Sequence, residues 1–230
     1  MTNNTLKDKT AKGFMWSGIG YSIQLIVGVG FGIVLARLLT PEDYGMIGLI
    51  QIFSLIACTL QESGFRIALA NRKEIRHEDY NAVFWFNVLV SAALYAILYC
   101  CAPLIMHFYQ QSSFASQYDV SMLTPLSRYF FLAFFISALG AAHCAYLFRT
   151  LQVKQKALIS ITSITLSGIV GMIMAYFGYA YWGLATQTIV FTSCNTILYW
   201  WFSGWRPTFS FNIQPLKEMF GFSSKLLVTD

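Results

Sequence analysis

The sequence predicts an all-α integral membrane protein, a bundle of about six transmembrane helices. Hydrophobic residues make up 57% of its 230 residues and charged residues only 11%, whereas a soluble domain carries about 25% charged residues. The uncharged residues are gathered in runs of bilayer-spanning length, and aromatic residues crowd near the ends of these runs, which is typical of membrane interfaces.

The runs without Asp, Glu, Lys or Arg predict where the spans lie, because about 20 apolar residues cross a bilayer as a helix. They place spans over residues 13–36, 44–61 and 81–108, and a fourth between Arg128 and Arg149. The polar segment QQSSFASQYD is predicted to form the loop before the fourth span.

The charge-free stretch between Lys156 and Arg206 is long enough for two further spans joined by a tight turn. We predict this turn at residues 178–183, with the sequence GYAYWG. Its glycines supply backbone freedom, and its aromatic residues suit the membrane interface.

Local sequence also predicts two helix starts. In the segment TPED, residues 40–43, threonine is a typical N-cap, proline suits the first helical position, and the acids face the positive end of the helix dipole. Glu78 and Asp79 repeat the acidic start before the third span.

The basic residues predict the topology, because Lys and Arg accumulate in cytoplasmic loops. Successive loops between spans must lie on alternate sides of the membrane. With this assignment, all 15 Lys and Arg residues except Arg37 and Arg128 fall on one side. Both ends of a six-helix lobe over residues 1–206 are therefore predicted to be cytoplasmic. Residues 207–230 are predicted to be a linker and the truncated start of a seventh helix, since PLKEMFGFSSKLLVTD resembles the entry to the first span.

Several function classes have little support in the sequence. The basic residues lie in short clusters between apolar runs, not on the continuous basic face of a nucleic-acid binder. The five cysteines lie in apolar runs and form no CxxC pair, so buried thiols are favoured over a metal site. No catalytic motif, metal-binding motif or cofactor signature is evident, although a membrane-embedded enzyme remains an alternative.

Four charged residues near the spans are the candidate functional residues, because charge is costly in lipid. Arg37 ends the first span, either as an interfacial arginine or as a cation that contacts a phosphate. Glu62 and Arg66 are four residues apart, as a structural ion pair or a charged gate. Arg128 opens the fourth span on the side poor in positive charge, as an anion contact or a partner of Asp119.

Uncharged polar residues and glycines within the spans are expected to serve helix packing. Interhelical hydrogen bonds are predicted for four amide side chains, and close helix contact for four glycines. The amides are Gln24, Gln51, Gln187 and Asn195, and the glycines are Gly28, Gly32, Gly168 and Gly171.

Three segments carry a family resemblance: VLARLLTPEDYGMIGLIQIF, QESGFRIALANRKEIRHEDYNAVFWFNVLVS and GYAYWGLATQTIVFTSCNTILYWWFSGWRP. They resemble the N-terminal half of bacterial polysaccharide and O-antigen (lipopolysaccharide) flippases of the multidrug/oligosaccharidyl-lipid/polysaccharide exporter superfamily. The resemblance covers nearly the whole chain but only about half of a family member.

The resemblance implies one lobe of a two-lobe exporter in the bacterial cytoplasmic membrane. The implied substrate is an oligosaccharide on polyprenyl diphosphate. Arg37 and Arg128 are candidates to contact its diphosphate, an inference from their charge and not from a family motif. The expected partners are this lipid-linked oligosaccharide, membrane lipids, and either a missing C-terminal lobe or a second copy of the chain. The alternatives are a non-transporting remnant or assembly partner of the same machinery, and a membrane transferase.

Overall fold

The structure is a computed structural model that describes residues 2–61, 76–110, 120–150 and 152–208. These residues form helices, with no strand among them. The helices are α1 Thr2–Leu38, α2 Pro41–Gln61, α3 His77–Gln110, α4 Val120–Arg149, α5 Val153–Tyr176 and α6 Ala180–Phe202. The predicted all-α class is confirmed.

Four of the described helices are long and apolar enough to cross a membrane. The qualifying segments are Met15–Leu38, His77–Leu104, Met122–Arg149 and Val153–Tyr176. Helices α2 and α6 have 21 and 23 residues, which at 1.5 Å per residue gives lengths of about 32 and 35 Å. Both lengths match a bilayer core of about 30 Å, so six spans remain the prediction for this bundle.

The predicted start of α2 is confirmed by its hydrogen bonds. Thr40 precedes the first helical residue, Pro41, and its backbone N–H and hydroxyl each donate to Asp43 Oδ2 at 2.9 Å. The Asp43 N–H donates back to Thr40 Oγ1 at 3.4 Å. This reciprocal capping satisfies donors that a helix start otherwise leaves unpaired.

The start of α3 uses a similar bond without a threonine. The Arg76 N–H donates to Asp79 Oδ2 at 2.8 Å, and the Asp79 N–H donates to the Arg76 carbonyl at 3.1 Å. The acidic start predicted from Glu78 and Asp79 is therefore present, with Asp79 as the residue that caps.

The turn between α5 and α6 is shorter than predicted. Gly178 has a φ of 79°, its N–H donates to the Ala175 carbonyl, and the Tyr179 N–H donates to the Met174 carbonyl, both at 3.0 Å. This pair of bonds is a Schellman motif, which needs a left-handed residue that glycine adopts without strain. Because α6 begins at Ala180, the prediction that the turn extends to Gly183 was wrong.

Gly183 instead allows α6 to lie close to α5. A Cβ at Gly183 would stand 3.3 Å from Met174 Cβ and 3.4 Å from the Ala175 nitrogen. Gly183, which was predicted to lie in the turn, therefore serves the contact between α5 and α6 in the first turn of α6.

The helices pack in the order α3, α4, α6, α5, α1, with α2 lying against α4, α6 and α3. Glycines bring α1 and α5 together: a Cβ at Gly20 would lie 2.5 Å from Ala157 Cβ, and Gly168 lies against the Phe31 ring. Gly28 faces Ile164, but Gly32 has open space around it. None of the described residues comes within 4 Å of a Cβ placed on Gly32, so the described helices do not use Gly32 for close packing.

Two hydrophobic clusters mark the ends of the bundle. We call them the Phe131 end and the Trp205 end after their central residues. The Phe131 end contains Leu35, Leu39, Met46, Ile47, Ile50, Leu123, Leu126, Phe130, Phe131, Ala175, Leu184 and Ala185. The Trp205 end contains Tyr80, Ala82, Val83, Phe84, Ala142 and Trp205.

These clusters show that successive helices run in opposite directions. The end of α1 and the start of α2 meet at the Phe131 end, as do the end of α5 and the start of α6. The start of α3 and the end of α4 meet at the Trp205 end. This alternation is what the predicted topology requires, and the assignment of the Trp205 end to the cytoplasm stays a prediction.

Candidate substrate-contact residues and a buried aromatic cluster

Arg128 lies inside α4 and is held by Tyr99 of α3. Its Nε donates to the Tyr99 carbonyl at 3.3 Å, and its Cζ lies 4.2 Å from the centroid of the Tyr99 ring. An arginine over an aromatic face is stabilised by the ring quadrupole. The structure therefore shows a helix-joining contact at this residue.

The fourth span was predicted to begin at Arg128, but the candidate membrane-spanning segment of α4 is Met122–Arg149. Helix α4 begins at Val120, two turns before Arg128, because a single arginine neither breaks a helix nor prevents its apolar face from packing. The proposed partner Asp119 lies outside the described residues.

Arg37 has a different environment. It lies in the last turn of α1, where the negative end of the helix dipole favours a cation. Its neighbours Leu35 and Leu39 are buried, whereas Arg37 is exposed. No hydrogen bond or ion pair joins it to another residue in the part of the chain that the structure describes.

Both arginines belong to the Phe131 end, because they lie next to members of its cluster in α1 and α4. They lie on different helices, α1 and α4. Glu62 and Arg66, the predicted ion pair or gate, lie outside the described residues.

The polar contacts between helices are mostly not the predicted ones. Asn195 donates through Nδ2 to the Phe191 carbonyl of its own helix at 3.1 Å, and Gln51 is exposed. Gln187 does lie between helices, with its Oε1 3.0 Å from a Cβ placed on Gly171. Gly171 therefore serves close packing, as predicted.

Helices α4 and α6 are joined instead by hydroxyl and indole groups. Tyr129 Oη lies 3.3 Å from Thr186 Oγ1. Thr196 Oγ1 donates to the Ile136 carbonyl at 3.1 Å, and Trp200 Nε1 donates to the Leu139 carbonyl at 2.9 Å. Sequence alone does not single out these residues, since Thr, Tyr and Trp are frequent throughout the spans.

A buried aromatic cluster surrounds His143 at the Trp205 end. The His143 ring stacks on Trp200 at a centroid distance of 4.5 Å and lies 5.0 Å from Trp205 and 6.0 Å from Phe84. His143 is fully buried, and neither ring nitrogen has a hydrogen-bond partner among the described residues. The contributing residues lie far apart in sequence, so no local pattern predicted this cluster.

The chain after α6 is fastened to this cluster. Trp205 is buried, the Thr208 N–H donates to Asn81 Oδ1 at 2.8 Å, and Trp85 Nε1 donates to the Thr208 carbonyl at 2.8 Å. These bonds hold residues 205–208 against α3.

No group of three or more His, Cys, Asp or Glu residues in the described ranges can hold a metal ion. The five cysteines, all within the described helices, form no disulfide. The described helical bundle thus has the two candidate arginines, Arg37 and Arg128, at the Phe131 end and the aromatic cluster around His143 at the Trp205 end.

Comparison with known proteins assigns the chain to a family. The sequence profile of a family described as "polysaccharide biosynthesis protein" matches residues 34–230, which is most of the chain. The chain belongs to this family. The predicted resemblance to polysaccharide and O-antigen flippases is thereby confirmed at the level of the family and its relatives.

Among the curated proteins similar to this chain, the teichuronic acid biosynthesis protein TuaB of Bacillus subtilis (strain 168) is 24% identical over 214 residues. This match covers 92% of this chain and 42% of TuaB. The lipopolysaccharide biosynthesis protein WzxC of Escherichia coli (strain K12) is 23% identical over 96% of this chain and 44% of its own length.

The succinoglycan biosynthesis transport protein ExoT of Rhizobium meliloti (strain 1021) is 23% identical over 89% of this chain and 41% of its own length. The chain thus spans less than half the length of these curated relatives. No solved structure matches the chain significantly.

Proposed function

We propose that this chain forms the N-terminal lobe of a flippase-type transporter that moves an oligosaccharide linked to polyprenyl diphosphate across the bacterial cytoplasmic membrane. The observation that carries the proposal is the match of nearly the whole chain to WzxC, TuaB and ExoT, whose names place them in polysaccharide biosynthesis or transport. An apolar helical bundle is consistent with this role.

Physical chemistry explains why such a substrate needs a protein. Sugar hydroxyls and a diphosphate lose their hydration when they enter hydrocarbon, and each unpaired polar group costs several kcal/mol. A polar path with cationic contacts replaces the lost hydration, and alternating access carries the head group past the midplane.

Arg37 is the stronger candidate for a diphosphate contact. It is exposed and makes no hydrogen bond or ion pair with the other described residues, and a guanidinium can bind a phosphate through two parallel hydrogen bonds. Arg128 is the weaker candidate, because Tyr99 already occupies its Nε and one face of its guanidinium.

Complementation of a flippase-deficient strain tests the proposal. Each variant is tested in a two-lobe protein that combines this chain with a C-terminal lobe. We expect Arg37→Ala to reduce polysaccharide export at least ten-fold and Arg37→Lys to retain part of it. Val34→Ala, at an exposed apolar position one turn earlier in α1, is the matched control and should transport normally.

Membrane levels of each variant are measured in parallel. Normal export by Arg37→Ala at normal membrane levels would remove Arg37 from the substrate path. Failure of the unaltered two-lobe protein to restore export of any polysaccharide would refute the transport proposal itself.

A further inference from the structure

An open cavity of about 420 Å³ lies between α4 and α6 at the Trp205 end, away from both candidate arginines. Its lining consists of Leu139, Thr196, Ile197, Trp200, Trp201 and Arg206. Ile197 is 63% and Trp201 79% exposed. The cavity is therefore a groove on the outer surface of the described bundle, with apolar walls and one cationic residue.

Arg206 is held firmly but keeps free donors. Its Nη1 donates to the carbonyls of Ser203 and Trp205 at 3.0 Å, and also to the Trp200 carbonyl. These bonds anchor the guanidinium beyond the last turn of α6, where the helix dipole favours a cation. Its Nε and Nη2 make no hydrogen bond with the described residues, and Arg206 is exposed.

The other polar groups of the groove are largely committed. Thr196 Oγ1 donates to the Ile136 carbonyl, and Trp200 Nε1 donates to the Leu139 carbonyl. Trp201 makes no indole hydrogen bond among the described residues. Among the described lining residues, the remaining donors are thus those of Arg206 and Trp201, and none is acidic.

We propose that this groove is a binding site for an anionic membrane phospholipid, with its phosphate on Arg206 and an acyl chain along Ile197 and Leu139. Three features match that ligand. The guanidinium of Arg206 is fixed and can bind phosphate, the tryptophans suit the membrane interface, and Leu139 and Ile197 form an apolar wall for the acyl chain. Basic grooves between transmembrane helices are a recognised form of lipid site. The site is separate from the proposed transport path at Arg37.

Native mass spectrometry of the purified full chain tests the site, with phosphatidylglycerol and phosphatidylcholine as probes in mixed micelles. We expect preferential retention of phosphatidylglycerol, weakened roughly ten-fold by Arg206→Gln because a charge-assisted bidentate contact is lost. Lys154→Gln is the matched control. It removes one positive charge from the start of α5, which does not line the groove, and retention should be unchanged.

A second variant separates lipid loss from misfolding, since Arg206 also satisfies carbonyls at the end of α6. Ile197→Trp fills the apolar part of the groove at an exposed position and leaves Arg206 intact. We expect it to lower phosphatidylglycerol retention at an unchanged melting temperature.

Three results would overturn the assignment. The first is equal retention of both phospholipids by the unaltered chain, and the second is equal effects of Arg206→Gln and Lys154→Gln. The third is displacement of phosphatidylglycerol from this site by an equimolar amount of undecaprenyl diphosphate or of inorganic phosphate. That displacement would show that the groove recognises the substrate head group or any free phosphate.

Discussion

At the residue scale, the two candidate arginines differ in what surrounds them. Arg128 contacts both the backbone carbonyl and the ring of Tyr99, whereas Arg37 is exposed at a helix end. From sequence, Arg128 was expected to be the weaker candidate only because Asp119 could pair with it, and Asp119 lies outside the described residues. The tertiary contact with Tyr99 makes the difference.

A double-mutant cycle measures the interaction between the Arg128 guanidinium and the Tyr99 ring. We expect Tyr99→Leu and Arg128→Gln to show a coupling free energy of about 1 kcal/mol, the usual size of a cation–π contact. The backbone carbonyl bond survives Tyr99→Leu, so the cycle isolates the ring. Unfolding of each variant in detergent supplies the free energies, and strictly additive effects would show that the ring contributes nothing.

At the element scale, glycine spacing did not reveal which glycines of α1 pack. Gly28 and Gly32 form a GxxxG pattern, yet the close contacts to α5 are at Gly20 and Gly28. A GxxxG pattern identifies one narrow face of a helix, but the segment Met15–Leu38 of α1 is apolar around nearly its whole circumference. Only the position of α5 determines which face is covered.

This difference predicts opposite effects of one added methyl group. We expect Gly20→Ala to destabilise the chain by about 1–3 kcal/mol, because the new Cβ meets Ala157 and overpacks the interface. Gly32→Ala adds the same methyl to the same helix in open space and should be neutral or slightly stabilising, as alanine favours helix. Melting temperatures in one detergent compare the pair, and equal shifts would contradict the α1–α5 contact.

At the scale of the whole molecule, the direction of the bundle in the membrane follows from the distribution of basic residues. The Phe131 end is predicted to face outward and the Trp205 end the cytoplasm. Exposed positions exist at both ends: Tyr179 in the turn between α5 and α6, Thr150 after α4, and Gly204 after α6.

Cysteine labelling from outside intact cells tests this orientation, with the five native cysteines replaced. We expect an impermeant maleimide to label Tyr179→Cys and to leave Thr150→Cys and Gly204→Cys unlabelled. All three should react after the membrane is permeabilised, which controls for accessibility. The reverse pattern would invert the predicted topology.

A lone six-helix lobe is predicted to be inactive in transport. In the two-lobe arrangement that the family resemblance implies, each lobe covers the other's inner face. Helix α1 packs mainly on α5, and Gln51 of α2 is exposed, so the described bundle has uncovered surface for a partner. An exposed amide in hydrocarbon is costly, and two copies related by a twofold axis could cover it.

We therefore expect this chain alone either to be degraded or to form a weak homodimer, without restoring polysaccharide export. Crosslinking in native membranes detects the dimer. Export by the chain alone is compared with export by the chain co-expressed with the second half of a relative such as WzxC. Full rescue of export by a chain shown to be monomeric would refute the two-lobe argument.

Sequence by itself determined the features that depend on composition and near neighbours. The all-α membrane class, the approximate ends of most helices, and the starts at Pro41 and His77 follow from apolar run length, capping residues and charge. Each of these depends on residues within a few positions of one another, so a linear pattern contains the needed information.

Only the tertiary structure determined which faces meet. The contact of Arg128 with Tyr99, the pairing of α1 with α5, and the aromatic cluster around His143 join residues far apart in the chain. A helix of a soluble protein has an apolar stripe that marks its buried side, but a membrane helix is apolar all round. The buried side is then chosen by shape and close contact between helices, which depend on the whole bundle.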